Sequence, residues 1–126
     1  MLNISSYDKI VLDGFGTLYD KNYTPLPGSI DLLDRIFSKS ILFSNIGSMD
    51  GKTLRSYLDN NYLKLPSSIL TSFDLLLGYL KRNNINKVIH YGGSRAAKAL
   101  SKNGIILDDQ DVDVILFTSL PSSNWI

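Results

Sequence analysis

The stretch Lys9-Ile10-Val11-Leu12-Asp13-Gly14-Phe15-Gly16-Thr17-Leu18 is where the reading of this chain begins. Lys9 to Leu12 is a short apolar run rich in branched side chains, which pack well on a pleated surface and predict a buried strand. Asp13-Gly14 stops it. A carboxylate at the carboxyl end of a buried parallel strand lies where open α/β sheets bind ligands. Gly14 and Gly16 allow a tight turn that presents backbone N–H groups to an anion, and a carboxylate beside it can serve as a nucleophile or a Mg²⁺ ligand. By pattern alone, an ordinary Asp-Gly turn fits equally well.

Outward from this stretch the same alternation recurs. Ile41 to Phe43, Ser68 to Thr71, Val88 to Tyr91 and Val112 to Thr118 are further apolar runs of strand length. Between them, residues recur at helical spacing: Ile30, Leu33, Ile36 and Phe37; Leu54 and Leu58; Leu76, Tyr79 and Leu80; Ala96, Ala99 and Leu100. Ser72 and Ser94 are candidate N-caps, and Asn103-Gly104 a candidate stop. Strands alternating with helices predict right-handed βαβ units and a three-layer, Rossmann-like parallel sheet. The polar stretch Lys81 to Lys87 is the best boundary, dividing the chain into 1–83 and 84–126.

The composition narrows the function. With 126 residues, 44% hydrophobic content and a formal net charge of +1, the chain is neither a disordered polymer nor a basic surface for nucleic acid or membranes. It has no cysteine and a single histidine, which excludes a disulfide framework, a thiol nucleophile and a histidine-rich zinc site. No basic, apolar leader opens it, and no run approaches the roughly 20 apolar residues of a membrane span. The expectation is a soluble cytoplasmic protein with no nucleic-acid or membrane partner.

Ser44-Asn45 ends the second run as Asp13 ends the first, with Gly47-Ser48 following. A hydroxyl and an amide at a neighbouring strand tip can bond the same phosphate. Taken alone, the segment reads more simply as a cap for a helix starting near Ser48 or Asp50.

Together the two tips resemble the haloacid dehalogenase superfamily. Asp13 to Leu18 is similar to its first motif, Asp-x-Asp-Gly-Thr/Val-Leu, and Leu42-Phe43-Ser44-Asn45 to its second. Pro25-Leu26-Pro27-Gly28-Ser29 resembles the Pro-x-Pro-Gly-Ala of the branch holding p-nitrophenyl-phosphatase-like, phosphoglycolate and pyridoxal-phosphate phosphatases. Leu70-Thr71-Ser72, Tyr91-Gly92-Gly93-Ser94 and Val112 to Thr118 with Asn124-Trp125 resemble that branch's third strand, cap entry and cap strand. The resemblance implies an incomplete haloacid-dehalogenase-like core followed by the start of an α/β cap. It implies Asp13 as the nucleophile that forms an aspartyl-phosphate. It implies Mg²⁺ on the Asp13 carboxylate and the Phe15 carbonyl. Phosphate would be held by Ser44 and the backbone N–H groups of Phe15 and Asn45. The implied substrate is a small phosphorylated metabolite.

Two departures from the family pattern set expectations of their own. Phe15 stands where the family has its general acid/base, whose loss typically costs ~10²–10⁴-fold. Segments resembling the family's Gly-Lys-Pro and Gly-Asp-x-x-x-x-Asp motifs are absent from these 126 residues. Mg²⁺ is therefore expected to bind weakly or not at all in the isolated, truncated chain. A non-catalytic binding or assembly module, or a fragment retaining only the fold, is the alternative; a homo-oligomer or a complementing C-terminal half is the expected partner. His90 reads as structural, Asp108 to Asp113 as a solvated turn, Tyr19, Tyr23, Tyr57, Tyr62 and Tyr79 as packing residues, and Trp125 as an interaction patch if exposed.

Overall fold

A computed structural model describes residues 3–59 and 62–118. In chain order these form β1 (Ile10–Asp13), α1 (Ser29–Ile36), β2 (Ser40–Ser44), α2 (Gly51–Leu58), β3 (Ser68–Thr71), α3 (Ser72–Arg82), β4 (Lys87–Tyr91), α4 (Ser94–Lys102), β5 (Ile106–Leu107) and β6 (Ile115–Phe117). Strands and helices alternate as the residue pattern predicts, except at β5. This strand has two residues between Gly104 and Asp108, too few to show a period. The last apolar run also contracts: only Ile115–Phe117 is strand, because Asp111 turns the chain ahead of it with φ 51°. Trp125 lies outside the described residues.

The chain divides into two compact units. One takes in the residues up to Asn45 together with Gly51–Thr71; the other takes in Ile46–Asp50 and the residues from Ser72 onward. The strands fall into two separate parallel sheets, β1-β2-β3 and β5-β4-β6.

In the first unit β1, β2 and β3 follow one another across the sheet in chain order. Right-handed crossovers in one direction lay their helices on the same face. The pleat agrees: Leu42, Ser44, Ile69 and Thr71, which share a face, are buried together with Leu33 and Ile36 of α1 and Leu54 and Leu58 of α2. Burying each such leucine contributes about 1.5–3 kcal/mol relative to exposure. On the opposite face Val11 is 70% exposed and Leu70 42%.

In the second unit Phe73, Leu77 and Leu80 of α3, Val88 of β4, Leu100 of α4 and Ile105 form the core. The buried stripe of α3 is thus Phe73-Leu77-Leu80, with Leu76 packed against it; of the expected Leu76, Tyr79 and Leu80, Tyr79 is exposed. α4 starts one residue early, with Gly93 as its N-cap and Ser94 already helical, and Gly104 at φ 82° ends it as expected. Tyr57 and Tyr62, like Tyr79, are exposed, so Tyr19 is the one of the five expected packing tyrosines that is fully buried.

Candidate active site

The site begins where β1 stops pairing. Asp13 is aligned with Phe43 and Ser44 with Thr71, so Asp13, Ser44 and Thr71 end three adjacent parallel strands within one residue of each other. The crevice beyond the carboxyl ends of such strands is where open α/β sheets take ligands.

The turn after Asp13 is closed by its own backbone. The Gly14 carbonyl accepts from Thr17 N (3.0 Å), Leu18 N (2.8 Å) and Tyr19 N (3.4 Å), while Gly16 N donates to the Tyr19 carbonyl at 2.8 Å. Gly16 sits at φ 78°, a conformation that side chains rarely tolerate. The Asp20 carboxylate then gathers Asn22 N and Thr24 N at 2.8 and 3.0 Å, and Leu26 N returns to the Leu18 carbonyl. None of these bonds uses the N–H or the carbonyl of Phe15.

The expected site residues fall as follows. Asp13 is exposed, and its Oδ2 accepts from Thr17 Oγ1 at 3.0 Å. Phe15 projects outward at 60% exposure and Asn45 is exposed. Ser44 differs: its side chain is 1% exposed, and its hydroxyl shares a 2.9 Å hydrogen bond with the Tyr19 hydroxyl, itself 1% exposed. Burial, with smaller contributions from Tyr23 and Asp13, raises the Tyr19 phenol above its ordinary 10.0, against the lowering effect of the Ser44 bond. The tyrosine therefore stays protonated at neutral pH.

Thr17 and Tyr19 are the residues that reading the sequence missed. Thr17 stands at the threonine of the first motif, and its spacing from Asp13 is one turn's reach. Tyr19 gave a weaker signal. An aromatic residue in an apolar context looks like packing, and only the missing side chain of Gly14 hinted at room for its hydroxyl.

As for a metal, the groups that could hold one are hard oxygens of the kind Mg²⁺ prefers, the Asp13 carboxylate and the Phe15 carbonyl. Among the described residues, no three His, Cys, Asp or Glu side chains gather as a metal-binding group. No helix among them is long and apolar enough to cross a membrane.

No protein-family model and no curated protein sequence matches the chain. Solved structures do. It superposes on NagD from Escherichia coli K-12 with a TM-score of 0.73 and 24% identity, over 94% of this chain and 48% of that one. With the 4-nitrophenylphosphatase of Thermotoga maritima the TM-score is 0.71 and the identity 21%, over 87% and 44%. With a glycerol phosphate phosphatase from Mycobacterium tuberculosis, solved in complex with calcium, they are 0.68 and 16%, over 96% and 38%. The chain spans less than half the length of each of these structures. Over that span, the chain shares the fold of these structures.

Proposed function

We propose that this chain is the phosphate-handling portion of a haloacid-dehalogenase-like, phosphatase-type hydrolase acting on small phosphorylated metabolites. The observation that carries the reading is the exposed Asp13 carboxylate at the tip of β1, heading a glycine turn and one strand away from the tip that ends in Ser44. Thr17 engages Asp13 Oδ2, leaving Oδ1 as the oxygen to attack phosphorus. The new bond would join Oδ1 to phosphorus as the ester P–O bond breaks, giving an aspartyl-phosphate and an alkoxide. The N–H groups of Phe15 and Asn45, with the Ser44 hydroxyl, would hold the phosphoryl oxygens. Mg²⁺ on Asp13 and the Phe15 carbonyl would screen the charge between carboxylate and phosphate. Phe15 has no proton for the leaving alkoxide, so turnover is slow.

The partners follow from the same reading. The apolar face marked by Val11 and Leu70 would be covered by a complementing α/β half or by a second copy. The residues from about 84 onward would be a cap-like unit.

A non-catalytic assembly module is the second reading, and Phe15 in the acid/base position together with that uncovered face favours it. A Mg²⁺-dependent assay with p-nitrophenyl phosphate, run on the chain and on Asp13→Asn, separates the two. Trace turnover that disappears in the variant is expected. Equal background from both proteins removes the hydrolase reading.

A further inference from the structure

Ser44 ends β2 where a phosphate-holding hydroxyl is wanted, yet it is 1% exposed and already bonded to Tyr19 at 2.9 Å. The tyrosine reaches it because residue 14 has no side chain. A Cβ on Gly14 would stand 2.5 Å from the Tyr19 hydroxyl oxygen and 2.9 Å from Cε1 and Cζ of the ring. Gly14 is not among the glycines with positive φ, so its backbone is open to any residue. What the glycine supplies is space, and the Tyr19 ring fills it.

We propose that Tyr19 belongs to the anion site: its hydroxyl occupies, on Ser44, the place a phosphoryl oxygen would take, and phosphate reaches Ser44 only by displacing it. The inference rests on the reading of Ser44 as the phosphate-holding hydroxyl. An uncharged phenol satisfies the buried serine in the absence of ligand, where an empty pocket would leave a costly unpaired hydroxyl. Hydrogen bonds to a charged acceptor are roughly twice as strong as those between neutral groups, so a phosphate can win the exchange. A neutral ligand competes on equal terms with the tyrosine and gains nothing. Tyr19 thereby selects for charge. The ring has neighbours to receive it: Tyr23 lies 5.8 Å from Tyr19, and Tyr57 stacks on Tyr23 at 4.8 Å.

The test is titration of the intact chain with inorganic phosphate, by calorimetry and by NMR of the tyrosine rings. Tyr19→Phe keeps the ring and removes the competing bond. Phosphate should bind it roughly two- to tenfold more tightly than the unmodified chain, the fold-change of one neutral hydrogen bond. Gly14→Ala, which pushes the ring out, should shift affinity the same way. In the unmodified chain, phosphate should move the Tyr19 ring resonances, a readout that needs no variant to fold. Binding that requires Ser44 (lost in Ser44→Ala) but is unchanged or weakened in Tyr19→Phe overturns the proposal and leaves the site reading standing. Phosphate binding indifferent to Ser44→Ala overturns both. No binding to the chain but clear binding to Tyr19→Phe supports the proposal; no binding to either rejects it.

Discussion

Tyr19 and Ser44 share a hydrogen bond of 2.9 Å between two side chains that are each 1% exposed, across 25 residues of sequence. It ties the turn after β1 to the tip of β2. Removing one partner strands the other, and a buried unpaired hydroxyl costs roughly 1–3 kcal/mol, whereas removing both leaves nothing unpaired. Denaturant unfolding should show Tyr19→Phe and Ser44→Ala each destabilising the chain by about that amount. The double variant should cost clearly less than their sum, since contacting residues are not additive. Strict additivity would mean that the two hydroxyls do not interact in solution.

The same phenol sets an alkaline limit. Its folded-state value is raised above the ordinary 10.0, first by burial, so the folded chain holds this proton more tightly than the unfolded one. The stability it contributes is complete below pH 10 and is lost as pH climbs through the raised value. Unfolding midpoints measured from pH 9 upward should fall in the native chain and fall less steeply in Tyr19→Phe. Parallel curves would contradict the assignment.

At the acid end the single histidine is informative. His90 Nε2 lies 2.9 Å from Thr118 Oγ1, and burial lowers its value below the ordinary 6.5. A lowered value means that the unfolded chain takes up the proton first, so stability is full above pH 6.5 and declines as pH falls through the lower folded value. With one histidine in the chain, its NMR titration is unambiguous and should show a midpoint below 6.5. In His90→Gln the part of the acid loss between pH 7 and 5 that belongs to this residue should vanish. A midpoint at or above 6.5 would refute the prediction.

The sequence was legible where physics is local and blind where it is not. Apolar runs ended by Asp13-Gly14 and Ser44-Asn45 announced both strand tips, because strand ends need turn chemistry that few residues supply. β5 escaped because its two residues are strand only through pairing with Lys87 and Val88. On α3, Leu76 and Leu80 pack on the core as their spacing predicts, while Tyr79 is exposed, because a periodicity count does not fix the edge of the buried stripe. Ser44's burial could not be read at all. It depends on Tyr19 reaching across a gap that Gly14 leaves open, a relationship among three residues that no single spacing encodes.

The uncovered face of the first sheet predicts association. Val11 on β1 is 70% exposed and Leu70 on β3 42%, both on the face opposite Leu42 and Ile69. Val11→Lys should lower self-association in concentration-dependent light scattering while changing stability by less than about 0.5 kcal/mol, as is usual for exposed positions. Unchanged association would move the contact elsewhere.

The final expectation concerns Phe15. At 60% exposure its ring fills no core, so replacing it should leave the fold intact. Aspartate at that position would place a proton donor two residues from Asp13, where the leaving oxygen would depart in the proposed reaction. General acid catalysis typically contributes about 10²–10⁴-fold, and its value depends on how badly the leaving group needs a proton. p-Nitrophenolate departs well unaided; the alkoxide of glycerol phosphate does not. In Phe15→Asp, Mg²⁺-dependent hydrolysis of glycerol phosphate should therefore rise by a large factor, capped at about 10⁴-fold, while hydrolysis of p-nitrophenyl phosphate changes little. The differential matters more than either rate, because poor cation binding or weak substrate affinity would depress both esters alike. An equal gain on the two substrates would show that the aspartate acts through the metal or the fold. No gain on either, with Asp13→Asn silent as well, would leave the chain without phosphoryl-transfer chemistry and select the assembly module.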